Sequence, residues 1–261
     1  MKDKFNFWDE ICGTLPFRRL GLKKITPYSL EVFDTWYFNH YPYLKKYFSK
    51  DSLKDQRVLE IGLGFGSVGE YLALNSKEYT GVDLATNPVR LMQKRIQFKK
   101  IKNAIAQNEN AVNLTFKDNS FDFIVSIGCL HHTPNLSSSI NEVYRVLKPG
   151  GQAVIMIYAK YSITSLLLPF FYIIDLIKNG FSLNKIKSFR RFAYDSNLKG
   201  NAAPKTVFTS KKELKIFTSK FESIKFCREN YWFPFLRKKG FFLNNCLIQT
   251  FGNDWYLILK K

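Results

Sequence analysis

From Arg57 onward, short apolar runs alternate with longer amphipathic ones. "RVLEIG" (57–62) is a short apolar run closed by glycine, which predicts a buried strand. "SVGEYLALN" (67–75) follows as a helix, and "EYTGVD" (78–83) as a second strand ending at Asp83. "NPVRLMQKRIQF" (87–98) predicts a helix with Pro88 in its first turn, where the missing N–H costs nothing. "NAIAQN" (103–108) gives a weak third strand and "FDFIVSIG" (121–128) a strong fourth. In "SSSINEVYRVL" (137–147), Ile140, Val143, Tyr144 and Leu147 share one helical face. "KPGG" (148–151) reads as the turn that ends this helix, and "QAVIMIY" (152–158) as a fifth strand. Ser210 and Glu213 form an S-x-x-E capping box that opens a further helix. "FESIKFC" (221–227) and "DWYLILKK" (254–261) read as closing strands. Apolar strands alternating with helices predict an α/β fold, with a largely parallel sheet covered on both faces.

Two segments stand outside this rhythm. In residues 1–50, "SLEVFDTWYFNHYPYLKKYF" (29–48) places Val32 and Trp36 at helical spacing until Pro42 interrupts, predicting an N-terminal helical cap. Residues from about 158 to 208 hold the apolar run "SITSLLLPFFYIIDLI" (162–177) and the basic stretch "KIKSFRRF" (185–192). The run is shorter than the ~20 residues of a spanning helix, and Pro169 and Asp175 interrupt it. It reads as a lid inserted into a domain spanning 51–261, with contact to a membrane surface as the alternative.

Composition changes the picture at two points. The chain has 261 residues and a net charge of +19, and residues 158–261 carry 19 Lys and Arg against 6 Asp and Glu. Either that segment meets a polyanion such as RNA or a lipid surface, or AT-rich codon usage has loaded the surface with lysine. Cys12, Cys129, Cys227 and Cys246 are scattered and form no C-x-x-C, so reduced thiols, a cytoplasmic protein and no metal site are expected. Residues 1–20 contain Asp3, Asp9 and Glu10 and lack an apolar run, so no signal peptide is expected.

The chemistry concentrates in "VLEIGLGFGSVGEYLA" (58–73). Gly64, Gly66 and Gly69 spell G-x-G-x-x-G, while Gly62, Gly64 and Gly66 spell G-x-G-x-G with Glu60 ahead. In an α/β sheet this loop lies at the ligand edge, and an acid ending the second strand, here Asp83, can accept from a ribose diol. Glu60 decides between the two frames. A carboxylate repels a pyrophosphate but attracts a cationic cofactor by ~1–4 kcal/mol at ~4 Å. Gly69 then packs helix on sheet.

The ordered run "VLEIGLGFG…YTGVDL…LTFKDNSFDFIVSIGCLHHTP…INEVYRVLKPGGQAVIMIY" resembles class I S-adenosylmethionine-dependent methyltransferases of the UbiE-like small-molecule group. That resemblance implies a Rossmann-like sheet of order 3-2-1-4-5-7-6 with strand seven antiparallel, and S-adenosylmethionine as cofactor. It implies that Glu60, Gly62, Gly64, Gly66 and Gly128 surround the methionine part, and that Asp83 holds the ribose. It places Leu84 beside the adenine, and Asn110 and Ala111 where the family usually has Asp-Ala facing the adenine amino group.

Methyl transfer needs an acceptor held ~3–3.5 Å from the methyl carbon, and a base when the acceptor arrives protonated. "GCLHHTP" (128–134) follows the fourth strand, so His132, and less directly His131, are the candidate bases. Tyr28, Trp36, Tyr37 and Tyr41 from the cap, and Tyr158, Tyr194 and Asn201 from the insertion, are candidates for the acceptor pocket. A small-molecule, possibly lipid-like, acceptor is expected, with RNA as the alternative suggested by the basic segment.

Overall fold

The computed structural model describes residues 7–10, 12–179, 183–230 and 250–261; Cys246 lies outside them. Its strands are β1 (Arg57–Ile61), β2 (Glu78–Asp83), β3 (Ala104–Asn108), β4 (Phe121–Ile127), β5 (Leu147–Tyr158), β6 (Ser223–Glu229) and β7 (Asp254–Lys260). They form one sheet of order β3-β2-β1-β4-β5-β7-β6. The β3–β2, β2–β1, β1–β4 and β4–β5 pairs are parallel, and β7 runs antiparallel to both β5 and β6. Sheet order and strand directions are those the sequence resemblance implied.

Helices α1 (Thr14–Arg19), α2 (Pro27–His40) and α3 (Lys50–Leu53) precede the sheet. Helices α4 (Ser67–Asn75), α5 (Thr86–Phe98) and α6 (Leu136–Val146) connect the strands. Helices α7 (Ile163–Asn179), α8 (Leu183–Tyr194) and α9 (Lys211–Phe217) lie between β5 and β6. Side chains alternate across each strand, so the sheet feeds two cores. Leu59, Ile61, Ala153, Ile155 and Leu257 pack with Ile140, Val143 and Val146 of α6. Val58, Phe123, Val125, Val154 and Tyr256 pack on the other face with Leu72 of α4, Met92 of α5 and Phe48.

The N-terminal helix begins at Pro27 because Thr26 and Ser29 cap it reciprocally, and it ends at His40, ahead of Pro42. The box at Ser210 and Glu213 also forms, with the Glu213 N–H donating to Ser210 Oγ and the Ser210 N–H to Glu213 Oε2. "KPGG" is not a separate turn: β5 already begins at Leu147, which pairs with Phe121. Residues 148–151 fall between the Phe121–Leu147 and Phe123–Gln152 pairs, an irregularity of three extra residues on β5. None of the described helices is long and apolar enough to cross a membrane.

Candidate active site

The parallel strands end together, and the loop after β1 turns there on three left-handed glycines: Gly62 (φ 91°), Gly64 (φ 48°) and Gly66 (φ 80°). Two of them are also closely hemmed in. A Cβ on Gly62 would overlap the Cys129 side chain, and one on Gly66 would come within 2.8 Å of Arg95 Cδ. Asp83 fastens this loop to the end of β2. Its carboxylate accepts from the Leu63 N–H (2.9 Å) and the Ala85 N–H (2.9 Å). Burial raises the Asp83 pKa, against the pull of these amides. A carboxylate offers about four lone-pair sites, so Asp83 keeps capacity for further donors.

Behind the loop sits Arg95, whose side chain is fully buried. Its Nε donates to the Phe65 carbonyl (2.9 Å), Nη1 to Asp34 (2.8 Å) and Glu70 (2.8 Å), and Nη2 to Asp34 (2.9 Å). Asp34 also accepts from Ser67 Oγ (2.5 Å). One guanidinium thus ties α2, the glycine loop, α4 and α5 together, with its charge matched by two carboxylates. Sequence reasoning passed over Arg95. The available signal was an arginine on the apolar stripe of α5, one turn beyond Leu91 and Met92.

Glu60 does not face the loop mouth. Its position puts it on the Val58 side of β1, under α4, where it accepts a hydrogen bond from the Tyr79 hydroxyl. A side chain on Gly69 would collide with both groups, so Gly69 is the helix–sheet contact expected of it. Burial pushes the Glu60 pKa up to about 8, opposed by the Tyr79 hydrogen bond and the Arg95 charge. A carboxyl in that condition is largely protonated at neutral pH.

A second polar cluster lies past the end of β4. His131 and His132 occupy a short turn, Leu130–His132, and Tyr158 ends β5. Asp195, just past α8, meets them: its Oδ1 accepts from the Tyr158 hydroxyl (3.1 Å), and its Oδ2 stands 3.5 Å from His132 Nε2. His132 Nδ1 lies 2.8 Å from the Lys205 carbonyl. A carbonyl only accepts, so the ring hydrogen of neutral His132 is assigned to Nδ1, which leaves the Nε2 lone pair facing Asp195. The gap is too long for a good hydrogen bond. Burial lowers the His132 pKa, opposed by the Asp195 charge, and burial raises Asp195. His131 is fully buried, which holds its pKa well below the ordinary imidazole value. Sequence reasoning found the histidines but not Asp195.

The other predicted residues divide. Gly128 (φ 72°) has open space where a Cβ would stand. Ala111 is buried. Asn110 is exposed, and its Oδ1 accepts from the Val112 N–H (3.2 Å) within its own turn. Leu84 is exposed. Tyr158 stacks on Phe208 (5.9 Å) and meets Tyr194 (4.7 Å), whose hydroxyl bonds Ser162 Oγ (2.9 Å). Tyr37 and Tyr41 touch at 5.1 Å, and burial raises both hydroxyl pKa values. Tyr28 is 74% exposed at the start of α2 and joins no pocket. Trp36 packs instead with Phe33 and His40, in the small aromatic core that α1 and α2 build around Phe65. Asn201 is exposed and closes a turn with Asn197.

Residues ahead of α1 also reach the site. Asp9 Oδ1 accepts from the Thr86 and Asn87 N–H groups (3.0 and 3.2 Å), capping α5 from outside. Trp8 lies on the His132 ring (4.5 Å), and Glu10 accepts from the Leu198 N–H (2.6 Å).

A family described as "Methyltransferase domain" matches residues 59–155, from β1 to β5. Residues 59–155 are a methyltransferase domain. Over 102 residues, 38% of this chain, the sequence is 37% identical to a phthiotriol/phenolphthiotriol dimycocerosates methyltransferase of Mycobacterium leprae (strain TN), covering 37% of that protein. Over 106 residues, 40% of this chain, it is 31% identical to phosphoethanolamine N-methyltransferase 2 of Caenorhabditis elegans, covering 24% of it. The chain therefore spans well under half the length of these curated relatives. A solved structure from Thermotoga maritima is similar over 89% of this chain and 95% of its own, with a TM-score of 0.56 and 21% identity. It is described as an S-adenosylmethionine-dependent methyltransferase, possible histamine N-methyltransferase, and its likeness establishes the fold.

The methyltransferase domain has a place that fits such a cofactor. The left-handed glycines bring bare backbone to the sheet edge, Gly128 opens onto space beside it, and Asp83 retains free lone pairs there. The three described cysteines, Cys12, Cys129 and Cys227, are free thiols. His131, His132 and Asp195 each bring one donor atom within 4.8 Å of the others, a span compatible with a cation. The cysteine spacing gave no hint of that cluster.

Proposed function

We propose that this chain transfers a methyl group from S-adenosylmethionine to a hydroxyl or amine of a small, lipid-like acceptor. The bound cofactor supplies an electrophilic methyl carbon on a positively charged sulfur. Gly62, Gly64, Gly66 and Gly128 would hold its amino-acid part, Asp83 the ribose, and Leu84, Asn110 and Ala111 the adenine. The observation that carries the acceptor chemistry is the pair of hydrogen-bond acceptors, His132 Nε2 and Asp195 Oδ2, facing each other across 3.5 Å. An acceptor arriving with its own O–H or N–H supplies the hydrogen that this pair lacks. The acceptor's proton would pass to His132 Nε2, and Asp195 would stabilise the imidazolium. Tyr158 and the Lys205 carbonyl fix the two partners in place. A positioned base of this kind contributes ~10²–10⁴ in rate.

The lipid-like character rests on the aromatic wall of Tyr158, Tyr194 and Phe208 and on the relative named for phthiotriol dimycocerosates. The basic C-terminal segment suggested RNA as an alternative, but the relatives reported above are named for small acceptors and no feature of the site favours RNA. The test is transfer of a tritiated methyl from S-adenosylmethionine to a panel of hydroxylated and amine lipids, counted after organic extraction. Extractable counts that His132→Asn abolishes support the reading. A folded sample that shows no cofactor binding by calorimetry overturns it.

A further inference from the structure

Helix α7 leaves an apolar face in solvent. Leu166, Ile173 and Ile177 are 63, 54 and 80% exposed. They are spaced seven and four residues apart, which places them within roughly 40° of one another around a helix. The opposite face holds Leu168, which is buried, and Tyr172, which meets Phe189 of α8 at 5.3 Å. So α7 has an inward side that packs and an outward arc on which Leu166, Ile173 and Ile177 are exposed. Tyr161, just before the helix, is also 67% exposed. Isolated exposed apolar residues are ordinary, but an aligned stripe on one helix marks a contact surface.

The charge around the stripe identifies the partner. Residues 158–194 carry six basic residues and a single acidic one, Asp175. Arg190 and Arg191 are spent on internal carbonyls, with Arg190 bonding Ala159 and Lys160 and Arg191 bonding Pro204. Lys178, Lys185 and Lys187 belong to the same short stretch of chain, and Lys160 stands 3.9 Å from Glu213. At 17 residues, α7 is about 25 Å long and does not qualify to cross a bilayer. An apolar stripe in a lysine-rich stretch of chain, on a helix too short to span, fits a helix lying in the plane of an anionic membrane surface.

We propose that α7 docks this protein on the surface of a bilayer containing anionic lipid. The docking helix leaves β5 at Ser162, whose hydroxyl bonds Tyr194 beside the His132–Asp195 cluster, so the site would open close to the lipid. The proposal does not depend on methyl transfer, because docking is read without turnover. The experiment is flotation of the full chain on a density gradient with vesicles of phosphatidylcholine, alone or mixed with phosphatidylglycerol. The wild type is expected to float with the mixed vesicles and to detach as salt is raised. Ile173→Glu/Ile177→Glu is expected to lower the floating fraction by about tenfold, with an unchanged melting temperature and unchanged S-adenosylmethionine affinity. Lys185→Glu/Lys187→Glu is expected to erase the preference for anionic vesicles. Failure of the wild type to float with either vesicle, or undiminished flotation of the isoleucine variant, overturns the proposal. So does a dimer on size exclusion that the isoleucine substitutions convert to monomer, because a second copy would then cover the stripe.

Discussion

Two buried charge clusters are anchored in the methyltransferase domain, and they are built differently. Around Arg95 every strong donor has a partner: one guanidinium serves Phe65, Asp34 and Glu70. Around His132 the count is one hydrogen short, with Nε2 and Asp195 Oδ2 facing each other unbonded. A satisfied buried network fixes geometry, whereas a buried acceptor without a donor is costly unless something arrives to pair it. The first cluster therefore reads as the clamp of the cofactor loop, and the second as the place where the acceptor's proton goes. The same contrast runs through the fold. The clamp joins elements that all precede β3, while the open cluster is assembled from the turn after β4 and the far end of the insertion.

Breaking the clamp is expected to have the largest effect. Arg95→Met strands Asp34 and Glu70 without their cation and should cost ~3–5 kcal/mol of stability by urea denaturation; a loss under ~1 kcal/mol would show that the network is not structural. The open cluster should behave in the opposite way. Asp195→Asn keeps shape and burial, so its stability should stay within about 1 kcal/mol of wild type, while the methyl-transfer rate falls by ~10²-fold or more. An unchanged rate would remove the pair from the chemistry. If a chelator abolishes transfer and zinc restores it, the three-residue cluster holds a metal rather than a proton.

Asp83 lies between these extremes, held by the amides of Leu63, Gly64 and Ala85. Asp83→Ala should weaken S-adenosylmethionine binding by about tenfold or more, the ~1.5–3 kcal/mol of a charged hydrogen bond. Equal affinity by calorimetry would mean that the carboxylate only shapes the loop. The smallest effect is expected from Glu60, whose folded pKa of about 8 lies above its ordinary 4.5. The folded state then favours the protonated form. Its stabilising contribution is complete below pH 4.5 and declines as pH rises through about 8. Glu60→Gln should flatten that decline in urea midpoints measured across the range. An unaltered slope would mean that Glu60 is ionised in the folded protein.

The sheet was legible because its strands are apolar on both faces, and runs such as "FDFIVSIG" admit little else. The glycine loop was legible because left-handed turns and close backbone approach leave few residues to choose from. What escaped depends on contacts distant in sequence. Asp195 is 63 positions beyond His132, in a stretch without periodicity, and its one signal is scarcity: only it and Asp175 are acidic between 158 and 208. Glu60 was legible on its strand but its partner was not, because a motif letter does not say which face it occupies. One alternation along β1 sends it under α4, to Tyr79. "KPGG" misled for a related reason: Leu147 had already joined the sheet through Phe121, and the glycines lie between that pair and the next, Phe123 with Gln152.

The division of labour between the two clusters is tested most directly by calorimetric titration of S-adenosylmethionine into wild type, Arg95→Lys and Asp195→Asn side by side. Lysine keeps the buried charge but loses the forked geometry that reaches Phe65, Asp34 and Glu70 together. Binding to Arg95→Lys should weaken by about tenfold or more, while Asp195→Asn stays within about threefold of wild type. Equal losses in both variants, or a loss confined to Asp195→Asn, would contradict the account.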